Sequence, residues 1–127
     1  MSSKIVISTD KAPGAIGPYS QAINAHGLVF CSGQLPSEPA TGNIVAGGIT
    51  EQTHQVIKNV IAVLAAASLD LNHVAKTTVF LKNMGDFAAM NAVYGSYFTT
   101  NPPARSTVEV ARLPKDALVE IECTAVT

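Results

Sequence analysis

The chain has 127 residues, a net charge of −1 and only 13 % charged side chains. That length gives one domain, residues 1–127, able to bury roughly two-thirds of its unfolded surface without disulfide staples. The balance excludes the basic footprint of nonspecific nucleic-acid binding: the eight Lys and Arg are scattered and there is no Trp to interleave with them.

The charged fraction is well below the usual ~25 %, and the mean hydropathy is +0.27. Part of the surface is therefore expected to be hidden in an oligomer. Cys31 and Cys123 each lie in an apolar, strand-like context and read as buried free thiols of a reducing compartment. Met1 to Ile7 has neither the charged start nor the long apolar core of a signal peptide, nor the Arg-rich character of a transit peptide. The longest apolar run, Val60 to Ala67, is too short to span a bilayer. The expectation is a cytoplasmic protein with no membrane partner.

Lys4 to Ser8 predicts a short strand. Ala12 to Pro18 holds two Pro and two Gly and predicts a loop. Tyr19 to Asn24 is extended. Leu28 to Cys31 is apolar on both strand faces, which predicts burial on both sides. Pro36, Pro39 and Thr41-Gly42-Asn43 mark a long turn. Thr50 is the expected N-cap of a first helix, with Glu51 in its first turn. Val56, Ile57, Val60, Ile61 and Leu64 then recur at helical spacing, to about Ser68.

Val74 to Leu81 has the Val, Thr and Phe content of a strand. Asp86 is the expected cap of a second helix whose apolar face is Phe87, Met90, Tyr94, Tyr97 and Phe98. Asn101-Pro102-Pro103 ends that helix. Arg105 to Ala111 and Leu118 to Val126 read as the last two strands. The turn Leu113 to Asp116 predicts that they pair as an antiparallel hairpin. The pattern is α+β: one mixed sheet with both helices on one face. In the last strand Val119, Ile121 and Cys123 share one side, while Leu118, Glu120, Glu122 and Thr124 share the other, more polar side, which must meet water or a partner.

Arg105 is the first candidate for chemistry. A guanidinium fork matches the two oxygens of a carboxylate ligand, and Pro102-Pro103-Ala104 stiffens the backbone before it. A glutamate on the last strand could move a proton or orient a water. The competing reading makes Arg105 a surface arginine, and makes Glu120 and Glu122 the wet side of an amphipathic strand. Alternation does not choose between these readings, nor between the two glutamates. Tyr19 after Gly17-Pro18 could present its hydroxyl to a ligand or simply pack. Ser32-Gly33 could expose backbone N–H groups or be a turn. His26, His54 and His73 lack metal-ligand spacing, so no metal is expected.

Gly14-Ala-Ile-Gly-Pro-Tyr19-Ser-Gln21, Ser32-Gly33-Gln34, Lys76-Thr-Thr-Val-Phe80, Asp86-Phe87, Pro103-Ala-Arg105-Ser106, Val108-Glu-Val-Ala-Arg-Leu-Pro-Lys115 and Ile121-Glu122 occur in order. From about Ala12 onward the chain closely resembles the Rid (YjgF/YER057c/UK114) family, in its RidA branch.

The resemblance implies a chorismate-mutase-like fold and a homotrimer with three equivalent clefts between subunits. It implies hydrolysis of 2-iminobutanoate and 2-iminopropanoate to 2-oxo acids and ammonia, without cofactor or metal. By position, Arg105 would hold the substrate carboxylate. Glu120 would orient water or pass a proton, and Tyr19 would hydrogen-bond the ligand. Ser32, Gly33, Asn91 and Thr107 would line the substrate site. Residue 107 is Thr where many members have Cys, and residue 102 is Pro where Phe is common. Activity is expected to survive the first change, since the family does not use that thiol as a nucleophile. The second is expected to alter the cleft rim. Ribonuclease or translation-inhibitor activity and holdase-type binding, both described in the family, are the alternatives.

Overall fold

The computed structural model describes residues 3–127. Met1 and Ser2, the start of the stretch read as lacking a signal peptide, lie outside the described residues. The described residues form six strands and two helices, in chain order β1 (Ile5–Ile7), β2 (Ala22–Ala25), β3 (Leu28–Gln34), α1 (Ile49–Ala66), β4 (Val74–Leu81), α2 (Phe87–Tyr97), β5 (Ala104–Glu109) and β6 (Val119–Val126). The sheet order is β1-β2-β3-β6-β4-β5. β4 and β5 pair in parallel, and the other neighbours are antiparallel.

The expected β5–β6 hairpin does not form. β6 inserts between β3 and β4, and β5 takes the outer edge beside β4. The parallel β4–β5 pair needs a crossover, which α2 supplies. Residues 110–118 then carry the chain around the end of β4, which requires a reach of about 10 Å at normal strand spacing. Backbone bonds fix that detour: Val110 N–H donates to the Leu81 carbonyl at 2.9 Å and Lys82 N–H to that of Leu118 at 3.0 Å.

The cap of α1 lies two residues before the expected one. Gly48 is the N-cap, Thr50 lies inside the first turn, and the Glu51 carboxylate accepts the Gly48 N–H at 2.8 Å. This bond supplies one partner for the unpaired N–H groups of the first turn. It also holds the Glu51 carboxyl below the usual glutamate range. Asp86 does precede α2, but its side chain makes no cap bond, because a short 3-10 turn, Met84–Asp86, feeds the helix directly.

Both helices cover one sheet face. Val56, Ile57, Val60, Val63 and Leu64 of α1 and Met90, Val93 and Tyr94 of α2 are buried there. They pack in one core with Val29, Val79, Leu81, Val119, Ile121 and Ala125 of the sheet. Ile121 is 1 % exposed, so truncating it to alanine would cost about 2–5 kcal/mol. The opposite face is open. Val6, Ile23, Phe30 and Thr124 form one row across four strands. Phe30 is 45 % and Val6 59 % exposed. The expected burial of β3 on both sides is thus not met within one chain, because only one sheet face carries helices.

Candidate active site

Strand alternation places Glu120 on the open face, opposite Phe80 of β4. On its other side β3 carries a bulge between Cys31 and Gln34. Gly33 sits in that bulge because the Glu120 carboxylate lies against its α-carbon: a Cβ there would collide with Glu120 Oε2. Half-burial raises the Glu120 carboxyl above the usual glutamate range, and the neighbouring charge of Glu122 adds to the rise. A carboxyl so placed can exchange a proton nearer neutral pH than an exposed one.

The carboxylate looks into a cleft of about 670 Å³ lined by Pro13, Ile16, Tyr19, Gly33 and Lys115 as well as Glu120 itself. Tyr19 is 52 % exposed at its mouth. Its hydroxyl accepts only a long bond, 3.4 Å, from Ile16 N–H. The loop carrying Tyr19 is tied down by buried Gln21, whose side chain accepts Thr9 N–H at 2.7 Å and donates to the carbonyls of Thr9 at 3.0 Å and Pro13 at 2.8 Å. The Ser32 hydroxyl donates to the Ser20 carbonyl at 2.6 Å and so pins the same loop to β3. Ser32 lines a separate hollow beside Tyr19 rather than the Glu120 cleft.

Arg105 lies on the other face. It pairs in register with Thr77, whose side chain is buried under the helices. Its guanidinium sits 4.7 Å from the Tyr94 ring centre and 5.6 Å from that of Phe87. Asn91 falls between these residues at spacings of four and three, so it shares their side of α2. Thr107, two residues along β5, points the same way as Arg105. Its Oγ1 is buried with no hydrogen-bond partner among the described residues. Within one chain, then, Tyr19, Gly33 and Glu120 gather at one cleft, while Arg105, Thr107 and Asn91 gather on the opposite sheet face. Among the described residues no group of three His, Cys, Asp or Glu side chains is disposed to hold a metal ion.

The family described as Endoribonuclease L-PSP matches residues 9–127. A solved structure of a Rid-family protein from Yersinia pestis is 49 % identical, covers 98 % of this chain and 100 % of its own, and superposes with a TM-score of 0.95. The chain belongs to the Rid family. It is similar over 99 % of its length to a human Rid relative, 2-iminobutanoate/2-iminopropanoate deaminase, at 48 % identity and 93 % coverage of that protein. It is also similar to Escherichia coli TdcF, solved with bound serine, at 44 % identity and a TM-score of 0.93, covering 97 % of this chain and 98 % of that one.

Two parts of this candidate site are given no site role in the sequence reading. Tyr94 and Phe87 were expected only as an apolar helix face, yet both carry the guanidinium. Their spacing of seven, before a strand with arginine near its start, was the available signal. Gln21 stands out only as a buried amide, which composition does not reveal. Pro102 is exposed beyond the end of α2.

Proposed function

We propose that this Rid-family chain hydrolyses small 2-imino acids, 2-iminobutanoate and 2-iminopropanoate among them, to 2-oxo acids and ammonia, and that it does so between subunits of a homotrimer. The observation that carries this reading is the division of the candidate residues between two sheet faces. One copy's Arg105 face would complete the next copy's Glu120 cleft. A contact between two different surfaces closes into a ring when the rotation allows, and a trimer is such a ring. The open row through Val6 and Phe30 gives an apolar face for that contact to bury.

In this reading Arg105 binds the substrate carboxylate through its fork. Glu120, ionised, takes a proton from a water as that water adds to C2 of the protonated imine. The resulting carbinolamine carries hydroxyl and amine on one carbon. Glu120 returns the proton to nitrogen; as the C–N bond breaks it takes the hydroxyl proton, leaving the 2-oxo acid, and the departing ammonia carries that proton away as ammonium. A protonated imine is already electrophilic, so placement and proton transfer suffice. The human relative's name and the serine bound in TdcF support a ligand with a carboxylate and a nitrogen on C2.

The test generates 2-iminobutanoate in situ with a PLP-dependent threonine dehydratase and follows imine loss directly. The wild-type chain should accelerate it, and Arg105→Ala and Glu120→Gln should not. No acceleration by wild type, or full activity in Arg105→Ala, would sink the proposal.

A further inference from the structure

We infer that Tyr94 is a positioning residue for Arg105: its buried ring, locked by Thr77, fixes the plane in which the guanidinium meets its ligand. For the carboxylate ligand this rests on the deaminase reading; for the geometry it does not.

An arginine side chain has several rotatable bonds, and a strand-edge arginine ordinarily sweeps through solvent. Arg105 is not free in that way. The Tyr94 ring centre is 4.7 Å from its guanidinium carbon and the Phe87 ring centre 5.6 Å away, both within cation–π range. The two rings differ in how firmly they are held. Phe87 is 37 % exposed at the start of α2, whereas Tyr94 is 5 % exposed. Tyr94 is also bonded at its far end, its hydroxyl lying 2.7 Å from Thr77 Oγ1. Phe98 stacks beside it at 4.4 Å between ring centres.

Thr77 is the register partner of Arg105 on β4. The backbone that sets the position of Arg105 therefore also sets the position of the ring beneath it. Strand, ring and guanidinium form one rigid unit. Burial raises the Tyr94 hydroxyl above the ordinary tyrosine value, so the ring stays a neutral phenol throughout the working pH range. The unit thus contributes a π face without adding a charge that would compete with a carboxylate for Arg105.

The chain has two arginines, Arg105 and Arg112, so the Nε–H region of a nitrogen-15 spectrum holds two side-chain signals, assigned with Arg112→Lys. In the wild type the Arg105 proton should be ring-current shifted and slow to exchange with water. Tyr94→Phe keeps the ring but loses its bond to Thr77, so the signal should keep its ring-current shift and broaden. Tyr94→Leu should move it to the free-arginine position and speed its exchange. In parallel, the Kd for 2-oxobutanoate and the KM for the imine should rise about tenfold in Tyr94→Leu with kcat little changed, and stay within about twofold in Tyr94→Phe. An Arg105 signal identical in Tyr94→Leu and wild type overturns the inference, as does an unchanged Kd in a folded Tyr94→Leu. Failure of the deaminase reading would instead show as absent turnover with the Nε–H signals behaving as described. Should Tyr94→Leu not fold, Thr77→Val releases the hydroxyl lock, and its Arg105 signal should broaden or shift; an unaltered signal there counts against the inference.

Discussion

Arg105 and Glu120 stand on opposite faces of one sheet, with β4 between their strands: Arg105 pairs with Thr77 and Glu120 with Phe80, an odd step apart along β4. Because strand side chains alternate, an odd step reverses the face. No rotamer change brings the two groups together through a hydrogen-bonded sheet. A site that needs both must draw them from two copies.

That separation predicts complementation. Arg105→Ala and Glu120→Gln should each be inactive alone. After denaturation and joint refolding, mixed rings would contain some clefts with an intact Arg105 from one copy and an intact Glu120 from the next. Random assortment puts both intact groups in about a quarter of the clefts. Recovered activity near that fraction of wild type is the expected result. A mixture as dead as its components would mean that the two residues do not share a cleft.

Gly33→Ala should disable the site with little harm to the fold. The new methyl would occupy the space of the Glu120 carboxylate, and the side chain must swing away. Since the obstacle is the end of a flexible chain, the loss in melting temperature should be small. The fall in kcat should be tenfold or more, because misplacing a proton-transfer group by an ångström has that scale of effect. Equal kcat in the two proteins would remove Gly33 from the argument.

The limits of the sequence reading follow the same geometry. β4 was legible to the residue, Val74–Leu81, because β-branched content and burial agree there. α1 was legible from its apolar spacing, and the face carrying Glu120 from simple alternation. The neighbour of β5 was not. A turn signal at Leu113–Asp116 fits a hairpin as well as a detour, and only the three-dimensional crossover through α2 decides. The two backbone twists that make the detour, positive φ at Lys115 and Asp116, leave no trace in residue type, since neither is glycine. The same error put Arg105 and Glu120 into one intramolecular neighbourhood. The motif resemblance implies a site at a subunit boundary instead, which strand periodicity alone could not suggest.

The raised Glu120 carboxyl has a pH signature. Burial is its main cause and Glu122 the second. Below the unfolded glutamate value, about 4.3, both states hold the proton and the group contributes no net penalty. As pH rises through the folded value the native state must ionise a half-buried group, and stability is lost. Glu120→Gln should therefore be more stable than wild type at neutral pH, with the difference vanishing below about pH 4. Glu122→Gln removes one of the two causes and should shift the acid limb of kcat/KM to lower pH. Urea titrations across pH and a pH–rate profile check the two parts. An acid limb that moves upward in Glu122→Gln would refute the electrostatic account.

Thr107 should trade stability against binding. Its Oγ1, on the face that carries Arg105, is buried without a hydrogen-bond partner among the described residues. A hydroxyl removed from water and left unpaired costs about 1–3 kcal/mol. Valine has the same shape and no such group. Thr107→Val should therefore unfold at higher denaturant, by about 1 kcal/mol. If the hydroxyl finds its partner in the bound acid, the same variant should bind 2-oxobutanoate several-fold more weakly, and Thr107→Ser should bind as wild type does. Opposite movement of stability and affinity is the diagnostic outcome. A valine variant that is both less stable and equally avid would show that the hydroxyl serves the fold and not the ligand.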